Sequence, residues 1–251
     1  MAGVLLVLFL LAVAGGLSWV VITSATSSGR VSRNEVPLTA VPVTPVGPLS
    51  DGTASGGARD SLGGLGAWIE RVAPATGLSA TALRAYGNAE LVLRGERPDC
   101  RLSWATVAGI GLVESNHGRF GGAVFDVDGR VSPPILGPPL DGSPGRMTIV
   151  DSDRGRLDGD ATFDRAVGPL QFLPETWRRF AADATGDGVA DPQNIIDAAV
   201  ATGRYLCARG RDLTTGEDWW AAVLTYNDSL DYARDVFDAA NDYARASTGG
   251  G

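Results

Sequence analysis

The sequence predicts a mostly α domain, preceded by an apolar segment and a flexible linker and interrupted once by a long irregular stretch. Three observations carry this reading. Between residues 60 and 246, apolar residues recur at helical spacing, and several of these runs open on Ser, Asn or Pro. Residues 23–59 are rich in Ser, Thr, Pro, Gly and Val, a composition that reads as an extended tether and cannot build a core. Residues 121–167 are crowded with Gly, Pro and Asp and show no helical period; so long an excursion inside one domain is unusual and often functional. At 251 residues the chain is long enough for a sizeable core.

The first charged side chain is Arg30, and Val4 to Ile22 is almost continuously apolar. That length just suffices to span a bilayer, roughly 20 residues at 1.5 Å each. Residues 1–22 therefore read either as a secretory signal peptide, with Ser24-Ala-Thr as a weak cleavage region, or as an uncleaved signal anchor. Both place the domain outside the cytoplasm, anchored to the membrane or secreted.

The helices follow in order. Leu62, Leu65, Ile69 and Val72 share a face over Ser61 to Ala73. Ser79 is an N-cap for Ala80 to Arg94. Ser103 caps Trp104 to Glu114, with Asn116 and Gly118 as its stop. Pro174 opens a helix to about Ala182, and Asn194 caps Ile195 to Arg209. Glu217 to Tyr226 is another helix, and Leu230, Ala233, Phe237, Ala240 and Tyr243 mark a last amphipathic one. The irregular stretch holds short runs such as Arg146-Met-Thr-Ile-Val150; it reads as a long excursion with a short hairpin, expected to lie beside Glu114.

Composition narrows the function classes. Every basic residue is Arg, the formal net charge is -8, and no basic run occurs in the folded part. A nucleic-acid partner is not expected. Cys100 and Cys207 are the only cysteines; in an exported chain they suggest one disulfide, against two separate buried thiols. Closing a loop of about a hundred residues is worth up to roughly 4–5 kcal/mol in the chain-entropy account.

Four motifs carry candidate chemistry. Glu114 ends an apolar small-residue run and is followed by Ser115-Asn-His-Gly. Burial disfavours a carboxylate and raises its pKa, so a protonated Glu114 can act as a general acid; alone, it reads as readily as a solvated helix-end acid. His117 reads as a solvated turn residue. Gly168-Pro-Leu-Gln-Phe-Leu-Pro174 makes a turn that brings backbone close to a ligand and offers the Gln171 amide. Asp183, Thr185 and Asp187 alternate ahead of Gly188, with a Val189 carbonyl and Asp191 next; this approaches an EF-hand calcium loop, although Asn194 stands where the bidentate Glu belongs. An acidic turn explains the same residues. Trp219-Trp220 and Tyr226-Asn227 place aromatic faces and an amide on one helix and its end, which suits a polyhydroxylated ligand.

In this order, Glu114-Ser, Gly168-Pro-Leu-Gln-Phe-Leu-Pro, the Asp183 loop with Asp191-Pro, and Tyr226-Asn-Asp-Ser resemble the lytic murein transglycosylases, nearest to the membrane-bound lytic transglycosylase B branch. The resemblance covers about residues 60 to 245. It implies a lysozyme-like helical fold and cleavage of the MurNAc–GlcNAc bond of peptidoglycan, leaving 1,6-anhydroMurNAc ends. It implies Glu114 as the catalytic acid, a substrate cleft lined by Ser115, Gln171, Phe172, Tyr226 and Asn227, and a structural Ca2+ at Asp183, Thr185, Asp187, Val189 and Asp191. The chain departs from the family where Asn116-His117 replaces the usual aromatic, and in its large 121–167 insertion. Two other readings stand beside it. One is a muramidase-type hydrolase with a second carboxylate from Asp126 to Asp164; the other is a catalytically silent wall-binding protein.

Overall fold

The structure is a computed structural model that describes residues 39–42, 46 and 65–248. The apolar segment 1–22 and most of the linker lie outside the described residues. Among those described, no helix is long and apolar enough to cross a membrane.

Among the described residues seven α-helices make the frame: α1 (Gly66–Thr76), α2 (Ala80–Glu96), α3 (Trp104–Ser115), α4 (Pro174–Phe180), α5 (Ile195–Leu206), α6 (Gly216–Tyr226) and α7 (Leu230–Thr248). The caps fall where the sequence puts them. Ser79 accepts from Ala82 N–H, Ser103 from Ala105 N–H and Asn194 from Ile196 N–H. The core lies where α2 packs along α5 and α3 along α7. Trp104, Trp219, Trp220 and Tyr86 are its largest fully buried side chains. Gly109 lets α3 and α7 cross closely, because a Cβ there would stand 2.6 Å from the Val236 carbonyl oxygen.

Boundaries differ from expectation where tertiary contacts decide. α1 continues through Pro74 to Thr76, giving up the Pro74 N–H bond, and ends on Gly77 at φ 70°, whose N–H bonds the Ala73 carbonyl. α5 stops at Leu206 rather than Arg209. Cys207 is bonded to Cys100, and Arg209 and Gly210 take left-handed backbone that reverses the chain. α4 stops at Phe180, and the Ala181 carbonyl accepts from Arg204 at 2.7 Å.

The linker needs a correction. Val41 and Val46 are 3% and 2% exposed and belong to the main core. The Trp220 indole N–H donates to the Thr39 carbonyl (2.9 Å), and Val46 N–H donates to Glu90 (3.0 Å). Val41 and Val46 pack against the helical core, and the buried Glu90 carboxylate takes the Val46 N–H. Glu90 is itself buried. Its second oxygen accepts Trp104 N–H at the start of α3 (2.9 Å), and Arg94 binds the first (2.6 Å).

The irregular stretch carries a short hairpin. β1 (Val124–Phe125) pairs antiparallel with β2 (Val131–Ser132); residues 146–150 contribute only single bridges, Asp141 with Thr148 and Val150 with Phe163. The stretch docks through Ile135, whose N–H and C=O both bond the Gln193 amide (3.0 Å each), and whose C=O also accepts Gly168 N–H (2.9 Å).

Candidate active site

The turn between Val167 and Phe172 assembles the site. Val167 and Phe172 exchange both backbone hydrogen bonds (2.8 and 2.9 Å), closing Gly168 to Gln171 into a tight loop. Gly168 has φ 81°, and a Cβ there would collide with the Pro192 carbonyl oxygen at 1.8 Å, so only glycine fits. Two hydroxyls clamp the loop. Ser115, at the end of α3, donates to the Pro169 carbonyl (2.5 Å), and Tyr226, at the end of α6, donates to the Leu170 carbonyl (2.6 Å). Each clamp satisfies a backbone acceptor that burial would otherwise strand.

Glu114 sits one residue before the first clamp, half-buried. Its Oε1 accepts from the Tyr232 hydroxyl at 2.6 Å. Burial pushes its carboxyl up to about 7, while the Tyr232 bond pulls the other way. Such an acid is divided between its two protonation states near neutrality, so it can give a proton and take one back.

Among the residues the sequence marked, Gln171 takes φ 49°, folds its amide onto the Gly168 carbonyl (2.8 Å) and presses its Oε1 towards Gly137. Tyr226 feels the Glu114 charge but bonds Leu170, not Glu114. Phe172 is 2% exposed and packs edge-to-face on Trp177 and Tyr226, so it forms the wall behind the loop. Ser115 is likewise buried, with its hydroxyl also accepting Gly118 N–H (2.7 Å). Asn227 is exposed at the end of α6, and its backbone N–H closes that helix on Val223.

Two side chains were not singled out correctly from sequence. Tyr232, the partner of Glu114, lies on the apolar face of α7; a phenol placed among core positions was the only signal. His117 is 3% exposed, not solvated. Its Nδ1 bonds the Tyr86 hydroxyl (2.9 Å), its Nε2 the Tyr243 hydroxyl (2.8 Å), and burial lowers its pKa to about 4, with Arg119 adding to the effect. A neutral imidazole thus bridges α2 and α7 behind the end of α3. Asn116, His117 and Gly118 all have positive φ there, turning the chain away after Glu114.

The Asp183 loop has the sharp turn of a calcium loop. Gly186, Asp187 and Gly188 donate N–H bonds to the Asp183 carboxylate, and Gly186 and Gly188 have φ 74° and 92°. Asp191 is paired with Arg130, and Asn194 is spent on its helix cap. Asp197 closes the loop from behind, with Ala184, Thr185 and Asp191 N–H groups on its carboxylate; burial nonetheless raises it to about 6. Among the described residues no three His, Cys, Asp or Glu side chains converge on a metal position. A cation there would need the Thr185 hydroxyl and the Val189 carbonyl beside Asp183 and Asp187.

Comparison with known proteins finds a match over part of the chain. Residues 152–244 match the family model described as the Transglycosylase SLT domain; the matched stretch holds the Gly168 loop, the Asp183 loop, Tyr226 and Tyr232. Among solved structures, the chain is similar to the Escherichia coli lytic transglycosylase Slt35 in complex with bulgecin A. Identity is 14%, 73% of this chain and 79% of that chain are covered, and the TM-score is 0.39. No curated protein matches.

Proposed function

We propose that the chain is a peptidoglycan lytic transglycosylase with a lysozyme-like helical frame, cleaving the MurNAc–GlcNAc β-1,4 bond with Glu114 as its single acid/base. The observation that carries this reading is Glu114: a carboxyl raised to about 7 by burial, held by one phenol and fixed beside the Gly168 loop. The SLT match over residues 152–244 supports the reaction class.

The chemistry runs in two proton transfers. Protonated Glu114 gives its proton to the glycosidic oxygen as the C1–O bond of MurNAc breaks, and GlcNAc O4 leaves as a hydroxyl. The MurNAc C6 hydroxyl then attacks C1, and its proton passes to the Glu114 carboxylate, which is restored for the next cycle. No water enters, because the internal nucleophile is already positioned. The substrate's N-acetyl group or nearby dipoles stabilise C1 between the two transfers. Tyr232 keeps the carboxyl aimed and stabilises its anion. Ser115 and Tyr226 act through the loop they clamp, and Gln171 and Asn227 are the polar groups offered to the sugar.

The hydrolase reading needs a second carboxylate. Of the acids in the irregular stretch, Asp151 is spent on the N–H groups of Asp153, Arg154 and Gly155, Asp160 on Arg165, and Asp164 on Ser152. That supports transglycosylation. The domain would then act on the wall outside the cytoplasm, tethered or released by residues 1–22. The Asp183 loop would serve as a weak structural calcium loop, supplying rigidity and no chemical step.

The test is product mass. Purified protein is incubated with sacculi, and the muropeptides are weighed. Anhydro ends, lighter than reducing ends by one water, are expected; reducing ends would mean hydrolysis, and no soluble product would mean a binding protein.

A further inference from the structure

The sequence shows no basic cluster, yet the fold makes one. Arg97, Arg179, Arg204 and Arg209 come from three separate places in the chain and line a depression of about 300 Å³, together with Glu96, Phe180 and Ala208. Four guanidinium groups there face one carboxylate, on a protein whose net charge is -8. Glu96 is already committed: it holds Arg204 in a two-pronged bond (3.0 and 2.7 Å), and Arg204 also binds the Ala181 carbonyl. Arg179 lies over the Phe180 ring at 5.7 Å. Arg97, Arg179 and Arg209 pair with no carboxylate among the described residues. Arg209 is held there at φ 67°, a backbone region that side-chain-bearing residues rarely adopt.

This depression connects to the acid site through stacked rings. Tyr226, clamped to the Gly168 loop, lies 5.4 Å from Tyr205, which stacks on Phe180 at 4.8 Å. Phe180 is the floor of the arginine cluster. Guanidinium forks match carboxylates bidentately.

We propose that the Arg97–Arg179–Arg209 cluster binds the stem-peptide carboxylates of the peptidoglycan strand being cleaved, making peptide-bearing glycan a better ligand than bare glycan. This rests on the peptidoglycan reading above. Exposed guanidinium contacts of this kind add modest affinity and fade in high salt.

The experiment measures binding of full-length protein, solubilised in detergent and carrying Glu114→Gln so that strands stay intact. The probes are glycan strands that keep their stem peptides, the same strands stripped by an amidase, and a phosphate-bearing wall polymer free of peptide. The parent should bind peptide-bearing strands about tenfold more tightly than stripped ones at low salt. The combined variant R97S/R179S/R209S should lose that preference while binding stripped strands as before, and R97K/R179K/R209K should keep part of it. Unchanged melting of both variants shows that they are folded. Equal affinity for both strands in the parent, or a preference that survives in the serine variant, overturns the proposal. Binding of the phosphate polymer that depends on these arginines, without a preference for peptide-bearing strands, also overturns it and assigns the cluster to phosphate. Turnover is measured separately with Glu114 intact. If the preference is present but no muropeptides are released, the peptide site stands and the catalytic reading falls.

Discussion

Glu114→Gln removes an ionisable group and keeps the shape, because the amide oxygen can still accept from Tyr232. The folded-state pKa of about 7 stands against 4.5 for an unperturbed glutamate. The native state therefore keeps its proton to higher pH than the unfolded chain does. The resulting stability is fully present below pH 4.5 and is lost as pH rises to about 7, beyond which the loss is complete. At 1.36 kcal/mol per unit the loss comes to about 3 kcal/mol, or roughly 2 kcal/mol once the solvent-facing edge of the side chain is allowed for. Glutamine escapes that loss. For a domain of this size the variant should melt roughly 4–8 °C above the parent near pH 8, and within a degree or so of it near pH 4. Scanning calorimetry at the two pH values measures it, and sacculus digestion on the same samples should show turnover abolished. A melting difference that does not change with pH would refute the buried-acid argument. Normal turnover by the glutamine variant would refute the catalytic one.

Four further outcomes follow from the same geometry. Tyr232→Phe deletes the bond that opposes the upward shift of Glu114, so the alkaline limb of the pH–rate profile should move up by about one unit; an unmoved limb would separate Tyr232 from catalysis. A chain beginning at residue 60 loses Val41, Val46 and the Val46 N–H bond to Glu90, and should melt roughly 5–10 °C below one beginning at residue 38, by differential scanning fluorimetry. Reduction of the Cys100–Cys207 bond, which spans 107 residues, should cost about 4 kcal/mol in a urea melt, and Cys100→Ser/Cys207→Ser should reproduce that loss without reductant. Millimolar calcium should raise the melting temperature of the parent and not of Asp183→Ala; equal response of the two would remove the loop as the site.

The helical frame was legible because its signals are local. Ser79, Ser103 and Asn194 bind the first N–H groups of the helices they precede, and α3 and α5, runs of apolar and small residues, are buried along most of their length. The boundaries that slipped, at Ala181 and Cys207, are set by partners far away in the chain, Arg204 and Cys100. The buried strap at Val41 and Val46 was illegible for the same reason. Its composition is that of a tether, and only the gap beside Glu90 and Trp220 makes it part of the core.

The sequence by itself determined that this chain is mostly helical, that Glu114 ends a buried helix, and that a glycine-led loop, an acidic loop and a tyrosine-ended helix follow in a transglycosylase-like order. Those are properties of neighbouring residues, governed by periodicity, capping and backbone freedom. Only the tertiary structure decided that Tyr232 rather than Tyr226 holds the acid, that His117 is a buried bridge between two phenols, and that four scattered arginines share one depression. Hydrogen bonds and desolvation act across distances of a few ångströms in space, whatever the separation along the chain. The pKa of Glu114 and the place of its partners therefore belong to the fold.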